Sequence, residues 1–328
     1  MISVLTGGTG GAKFVDGLRQ VMPAEDITLV VNTGDDLVWW GLYVSPDVDS
    51  IAYVLSGMLS RERGWGVKGD TFHCLQAMGQ LGEPTWFHAG DRDLAMHLLR
   101  SRLLAEGMTL SEATAVISRK LGVRARILPM SNSRVETRID TPAGELSFEE
   151  YFVERWYQDP VKSVRFRGAS DAQAAPGVID AIINADAVLI APSNPVTSIG
   201  PILAVPGIHD ALRHARGKIA AVSPILGNAA VAGPAGILMA AEGLPCSIQG
   251  VAEAYADFLD ILICDARDVQ AAEALGQTGI RVECTQTIMR SAEDKAALAR
   301  QALSFATANR FPEEAVSDAP LRRVDRQP

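Results

Sequence analysis

The alternation of apolar and polar positions opens with Ile2-Ser3-Val4-Leu5, a short buried-strand run, then glycines, then Phe14, Leu18 and Val21 at helical spacing. A second β-rich run, Ile27 to Asn32, follows, so strand, helix, strand begins a parallel sheet. Behind Ser45-Pro46, read as N-cap and first helical position, Ile51, Val54, Leu55, Met58 and Leu59 recur at helical intervals. From 68 to 122 the pattern is helical: Asp70 to Leu81, Asp93 to Ala105, and Ser111 to Leu121, the last opened by Ser111. No strand alternates with these helices, which predicts a helical insertion or cap. Short β-like pieces come next, at Arg126 to Met130, Val135 to Thr141, Gly144 to Phe148 and Val161 to Phe166, and Pro142-Ala143-Gly144 turns the middle pair into a hairpin.

Alternation then resumes with helix Val178 to Asn184, strand Ala187 to Ala191, helix Ile208 to Ala215 and strand Lys218 to Val222. Helix Pro234 to Glu242, strand Ile261 to Cys264 and a short strand around Val282 complete the series. The predicted fold is α/β: a doubly wound, mostly parallel, Rossmann-like sheet of about six strands with a smaller helical insertion. Residues 1–45 and 123–310 form the expected nucleotide-binding domain and 46–122 the insertion. Ser291 with Asp294 caps a last amphipathic helix, Ala297 to Ala306, and the charged tail 311–328 is expected to be disordered.

Composition narrows the function more than the fold. A chain of 328 residues, 48% hydrophobic, can bury a large core as one large or two unequal domains. Its net charge of −9 argues against nonspecific polyanion binding, so no nucleic-acid partner is expected and any phosphate must be held locally. There is no apolar run of roughly 18 residues and no basic, apolar leader, so a cytoplasmic protein without a membrane partner is expected. Cys74, Cys246, Cys264 and Cys284 are scattered and the five histidines lack metal spacing, so zinc and structural disulfides are not expected.

Candidate chemistry starts at Thr6-Gly7-Gly8-Thr9-Gly10-Gly11-Ala12-Lys13. Four glycines between a strand and a helix let the backbone approach an anion, which the helix start favours. Lys13 stands where the dinucleotide fingerprint has its last glycine, and the P-loop ending is missing, so a tight turn without ligand stays open. Asp35 and Asp36 end the second strand, where an NAD enzyme would hold ribose and where Gly-Asp also makes ordinary turns. Asp47 and Asp49 suit a helix first turn, yet with Asp35 and Asp36 they place four carboxylates within fifteen residues, a hard-oxygen set suited to Mg²⁺. Asp91-Arg92-Asp93, beside Trp86-Phe87, reads either as a surface cap or as a clamp for a planar or anionic ligand. Two more polar loops, Ser193 to Ser198 and Ser223 to Asn228, follow predicted strands and fall on the same sheet edge as the glycine loop.

Taken together and in order, these segments resemble the 2-phospho-L-lactate transferase family of coenzyme F-420 biosynthesis. The residues are the glycine loop, Asn32-x-Gly34-Asp35-Asp36, Ser45-Pro46-Asp47-Val48-Asp49-Ser50, Gly90-Asp91-Arg92-Asp93-Leu94-Ala95, Pro192-Ser193-Asn194-Pro195-x-Thr197-Ser198-Ile199-Gly200-Pro201 and Ser223-Pro224-Ile225. Asn228 stands where the family pattern has glycine, and Val231-Ala232-Gly233 lacks a lysine of some members. The resemblance implies a Mg²⁺-dependent transfer of a phospholactyl, phosphoenolpyruvyl or phosphoglyceryl group from its guanosine diphosphate-activated form to the ribityl hydroxyl of the deazaflavin Fo. GMP is released, and a homodimer is implied. Asp49 and Arg92 match the family's deazaflavin contacts. Gly8, Thr9, Gly10, Gly11 and Lys13, with Ser193, Asn194, Thr197 and Ser198, are the expected nucleotide and phosphate site. Lys13 and Asp49 are the expected catalytic groups, Asp49 as base, and Asp35, Asp36 and Asp49 the expected metal ligands. The alternatives are a nucleotide-sugar-binding regulator of the gluconeogenesis-factor family, which lacks the Asp47-Val48-Asp49 and Gly90 to Asp93 features, and an NAD oxidoreductase.

Overall fold

A computed structural model describes residues 1–307; the expected disordered tail lies outside the described residues. In chain order its first half runs β1 (Ile2–Thr6), α1 (Gly8–Val21), β2 (Ile27–Val31), the hairpin β3 (Leu37–Trp39) and β4 (Leu42–Val44), then α2 (Pro46–Leu55). The helices α3 (His73–Gln80), α4 (Asp91–Ala105) and α5 (Leu110–Lys120) lead to β5 (Arg126–Pro129), β6 (Glu136–Thr141), β7 (Gly144–Ser147) and β8 (Ser163–Arg167). Then come α6 (Val178–Ile183), β9 (Ala187–Ile190), α7 (Gly200–Ala204), α8 (Ile208–Arg213), β10 (Lys218–Val222) and the small hairpin β11 (Ile225–Leu226) and β12 (Ala229–Ala230). The chain closes with α9 (Ala235–Ala241), α10 (Ile248–Ala254), β13 (Ile261–Asp265), α11 (Val269–Gly276), β14 (Arg281–Thr285) and α12 (Ala292–Thr307).

Seven strands make one parallel sheet in the order β14-β13-β10-β9-β1-β2-β5. The count is one more than expected because Arg126–Pro129, a short piece of uncertain placement in sequence, pairs in parallel with β2 and completes the edge. Val4, Leu29, Leu189 and Ile263 face one layer, with α1, α2 and α12 packed there, whereas Leu5, Val30, Ile190 and Leu262 face α6, α8, α9 and α10. Burial on both faces is why these strands read as unbroken apolar runs. Strand order reverses at β1, with β2 on one side and β9 on the other. Loops diverge there, and open α/β sheets bind ligands in such a crevice.

The remaining β pieces stand apart from this sheet: β7-β6-β8 form an antiparallel sheet that includes the expected hairpin, and β3-β4 form a two-stranded ribbon that periodicity did not show. The α4 and α5 helices enclose a small third core of Tyr53, Val67, Met96, Leu103, Ala113 and Ile117. Helix starts differ from the expected ones because the caps are tertiary. The Asp91 carboxylate accepts from the His73 and Cys74 amides at 3.1 and 2.9 Å, and Asp70 reciprocally accepts from the Arg92 and Asp93 amides at 2.8 and 3.1 Å. Thr109, not Ser111, caps α5 through a capping box with Glu112. Ser45 holds the N-cap position of α2 and Pro46 the first helical one, as expected, but the Ser45 side chain makes no cap hydrogen bond. Among the described residues no helix is long and apolar enough to cross a membrane.

Candidate active site

At the β1–β9 crevice the glycine loop packs on protein as tightly as on any ligand. Gly8 adopts φ +66°, and its amide donates to Asp47 Oδ1 at 2.7 Å, so an acid of α2 occupies the anion position at the start of α1. A Cβ on Gly10 would lie 2.2 Å from the Pro192 carbonyl oxygen. Gly10 therefore serves close packing of α1 on the 192–199 loop, and its replacement would disturb the fold before it disturbed a ligand. Ser193 Oγ donates to the Gly7 carbonyl at 2.7 Å, and Asn194 Oδ1 accepts from the Val196 amide at 3.0 Å. Thr197 is fully buried, Ser198 nearly so, and Thr9 and Lys13 are exposed on α1. Asn32 sits between these parts: its amide nitrogen contacts Asp35 Oδ2 and Asp47 Oδ2, both at 2.9 Å, and its Oδ1 accepts from the Gly34 amide at 2.8 Å. Asn32 thus ties Asp47, which holds the Gly8 amide, to Asp35 and to the Thr197 carbonyl of the 192–199 loop. The 223–228 loop instead folds into the β11–β12 hairpin, with the Gly227 amide donating to Asp268.

Carboxylates crowd the same crevice. Asp36 accepts from Tyr43 Oη at 2.8 Å and from Ser45 Oγ at 2.6 Å, so the Ser45 hydroxyl is turned toward Asp36. Burial pushes Asp36 up to about 8 against those two hydrogen bonds, and burial with the Asp47 and Asp36 charges pushes Glu149 to about 8. Burial raises Asp47 to about 6, restrained by Asn32 and the Gly8 amide. For Asp35, burial and the Asp47 and Glu149 charges hold the carboxyl well above its usual range, with the Thr137 hydroxyl opposing. Such a cluster takes up protons or a cation. Groups whose pKa rises on folding add stability below their unfolded value, near 4, and lose it as pH climbs through the folded value. The metal-free protein is therefore expected to melt at progressively lower temperature from about pH 5 to pH 9, followed calorimetrically in chelator; a rise over that window contradicts the assignment.

Asp49 departs from expectation. Both its oxygens are taken by the Arg100 guanidinium, Oδ2 from Nη1 at 3.0 Å and Oδ1 from Nη2, and Asp49 and Arg100 are 3% and 1% exposed. His97 Nδ1 lies 3.5 Å from Asp49, and His97 Nε2 lies 3.6 Å from Asp93, which accepts from Tyr53. A carboxylate with both oxygens in a buried ion pair is not a free metal ligand or base, which corrects both roles for Asp49. Among the described residues no three His, Cys, Asp or Glu side chains converge as a metal site. One or two carboxylates remain a fit for Mg²⁺, which keeps waters and shares substrate phosphates, and the hard-oxygen donors of the buried Asp35 and half-buried Asp36 suit it. Arg92 is exposed, its Nη1 donating to the Lys68 carbonyl at 3.1 Å, while its neighbour Asp91 serves as the α3 cap.

A cleft of 270 Å³ opens where Asp35 and Asp36 face Trp39, Trp86, Arg134 and Arg138. Trp86 meets Trp39 edge-on at 4.8 Å, and Phe87 lies 5.8 Å from Trp39. Sequence reasoning missed this opposite wall. The signal available was Arg134-x-Glu136-x-Arg138, three charged residues on one face of a strand. A larger hollow of 620 Å³ lies at the other end of the sheet, around Arg216, Lys218 and Asp260; it begins where β10 begins, away from all the polar loops. The smaller cleft opens beyond the carboxyl end of β2, the side on which open α/β sheets bind ligands, whereas the larger hollow lies at the amino ends of the strands.

A family model described as 2-phospho-L-lactate transferase CofD matches residues 2–301. The chain belongs to that family. A CofD-family 2-phospho-L-lactate transferase from Methanosarcina mazei is 41% identical over 296 residues, covering 90% of this chain and 97% of its own. One from Methanothermobacter thermautotrophicus is 44% identical over 300 residues, covering 92% and 96%. A phosphoenolpyruvate transferase from Streptomyces griseus is 40% identical over 311 residues, covering 93% and 98%. A solved UPF0052-family protein from Bacillus halodurans shares the fold, with a TM-score of 0.64 at 18% identity and coverage of 92% of this chain and 99% of that chain. Membership of the CofD family places the chain among transferases, in preference to the regulator and oxidoreductase readings.

Proposed function

We propose that the chain transfers a phospho-acid group, phospholactyl, phosphoenolpyruvyl or phosphoglyceryl, from its guanosine diphosphate-activated form to the ribityl hydroxyl of the deazaflavin Fo. GMP leaves, and the product belongs to coenzyme F-420 biosynthesis; the enzyme works in the cytoplasm as a homodimer. What carries this reading is the meeting of the glycine loop, the Ser193–Ser198 loop and the Asp35–Asp36 pair at the β1–β9 crevice of a CofD-family chain.

In this reading the exposed side of α1, with Thr9 and Lys13, and the Ser193–Ser198 loop bind the guanosine diphosphate part, Lys13 drawing on the phosphates. Asp35 would hold Mg²⁺ together with the diphosphate, and the ion would supply charge neutralisation on the oxygens that GMP carries away. The exposed Arg92, on the rim of the helical layer, orients the deazaflavin. Asp36, fixed by Tyr43 and Ser45, is the carboxylate placed to orient the attacking hydroxyl and receive its proton. Because phosphoryl-group transfer needs little covalent help from protein, positioning and electrostatics do most of the work.

The test is mass spectrometry of the product from Fo and each of the three guanylylated acids, with GMP followed in parallel. A conjugate of Fo with the acid and one equivalent of GMP is expected; GMP without conjugate, or no reaction with all three donors, refutes the reading. Chelator should take turnover to background and added Mg²⁺ should restore it. Full turnover in excess chelator removes the cation from the mechanism.

A further inference from the structure

The cleft wall opposite the acidic pair carries two arginines that share one acid. Arg134 and Arg138 lie on one face of the strand segment that ends in β6, and Glu136 between them binds both: Arg134 Nε donates to Oε1 at 2.6 Å and Arg138 Nη2 to Oε2 at 2.9 Å. This lowers Glu136, through hydrogen bonds from Arg134 and Arg138 that outweigh its burial. Behind them on β8, Arg165 pairs with Asp140 and Glu145, and Arg167 with Glu145 and Glu136. Arg138, Arg165 and Arg167 of this sheet, with Arg134 just before it, thus share Glu136, Asp140 and Glu145. Glu150, also on the cleft, is engaged by the Ser147 amide and hydroxyl. Among the described residues Arg138 Nε is buried without a hydrogen-bond partner, 3.8 Å from Glu145, and a buried guanidinium N–H left unmade is costly. Two guanidiniums held side by side by one carboxylate at the cleft form a preorganised receptor for a planar anion.

We propose that Arg134 and Arg138, clamped by Glu136, take the carboxylate of the three-carbon acid in the donor, so that this wall makes the enzyme demand an acid. The inference rests on the donor named under the proposed function. That donor carries two anionic parts. Its diphosphate belongs with Lys13 on α1 and the cation-binding acid, and the carboxylate is left for the opposite wall. Trp39 and Trp86, edge to face on the same cleft, give an apolar surface for the carbon atoms beside it. Lactate, enolpyruvate and glycerate share the carboxylate. These arginines therefore set the requirement for it without choosing among the three.

Equilibrium binding tests this without turnover. Isothermal titration would compare guanylylated phospholactate, its analogue with the carboxylate replaced by methyl (an isopropyl ester), and GDP, on the wild-type chain, Arg138→Met and Arg134→Gln. Arg134 is more than half exposed, so its variant should fold even if Arg138→Met does not. Wild type is expected to favour the acid donor over the isopropyl analogue by about 10–100-fold, the size of a charged hydrogen-bond pair. Each variant should lose about tenfold or more for the acid donor alone, with the analogue and GDP unchanged. Equal weakening of acid and analogue, or no weakening of either, overturns the proposal. If wild type binds neither donor nor GDP, the guanosine-diphosphate reading itself fails and takes this one with it; retained GDP binding separates the two failures.

Discussion

Asp49→Asn is expected to destabilise the protein by about 3–5 kcal/mol, because it strands the fully buried Arg100 guanidinium without its carboxylate. For a domain of this size that is a fall in melting temperature on the order of 10 °C. A helix first-turn acid would contribute only about 0.3–1 kcal/mol, so the sizes separate a buried ion pair from a helix-dipole role. The double variant Asp49→Asn/Arg100→Met removes both charges, and most of the lost stability should return, since replacing a buried pair by apolar groups is often neutral. GMP release is then read in that folded background. Recovered turnover assigns Asp49 to structure; turnover that stays lost while stability returns assigns it to the deazaflavin, as the family resemblance implies. A single variant that melts with wild type would show that Arg100 does not depend on Asp49.

Asp36→Asn is expected to behave in the opposite way, losing about 10²–10⁴ in turnover with a stability change within about 1 kcal/mol. Asp36 lines the cleft, its oxygens are presented by Tyr43 and Ser45, and asparagine can accept one of those hydrogen bonds but cannot take up a proton. Near neutral pH the native carboxyl is already largely protonated in the metal-free protein, so exchanging it for a neutral amide removes no favourable charge. Binding of GDP should survive. Turnover above about a tenth of wild type at saturating Fo, in a variant shown to be folded, would take the proton-accepting role away from Asp36.

These two residues also mark where reading the chain stops being enough. Asp49 and Asp36 are both aspartates of one short acidic stretch, and nothing local distinguishes them. Arg100, 51 residues further on, decides that Asp49 is sealed in an ion pair, whereas Tyr43 and Ser45, folded back by a ribbon with little periodicity, decide that Asp36 stays at the cleft.

The sequence by itself determined the α/β class, the parallel sheet and the family, because strands buried on both faces need unbroken apolar runs and close backbone turns need glycine, and both constraints act over a few residues. It also located the crevice, since the glycine loop and the Ser193–Ser198 loop each follow a strand. Only the tertiary structure decided the seventh strand, paired through β5 across nearly a hundred residues, and the helix caps that Asp70 and Asp91 exchange. It alone placed Arg134 and Arg138 opposite Asp35 and Asp36. Charge pairing and burial depend on which side chains meet across long separations, and a one-dimensional pattern carries no record of distance between segments.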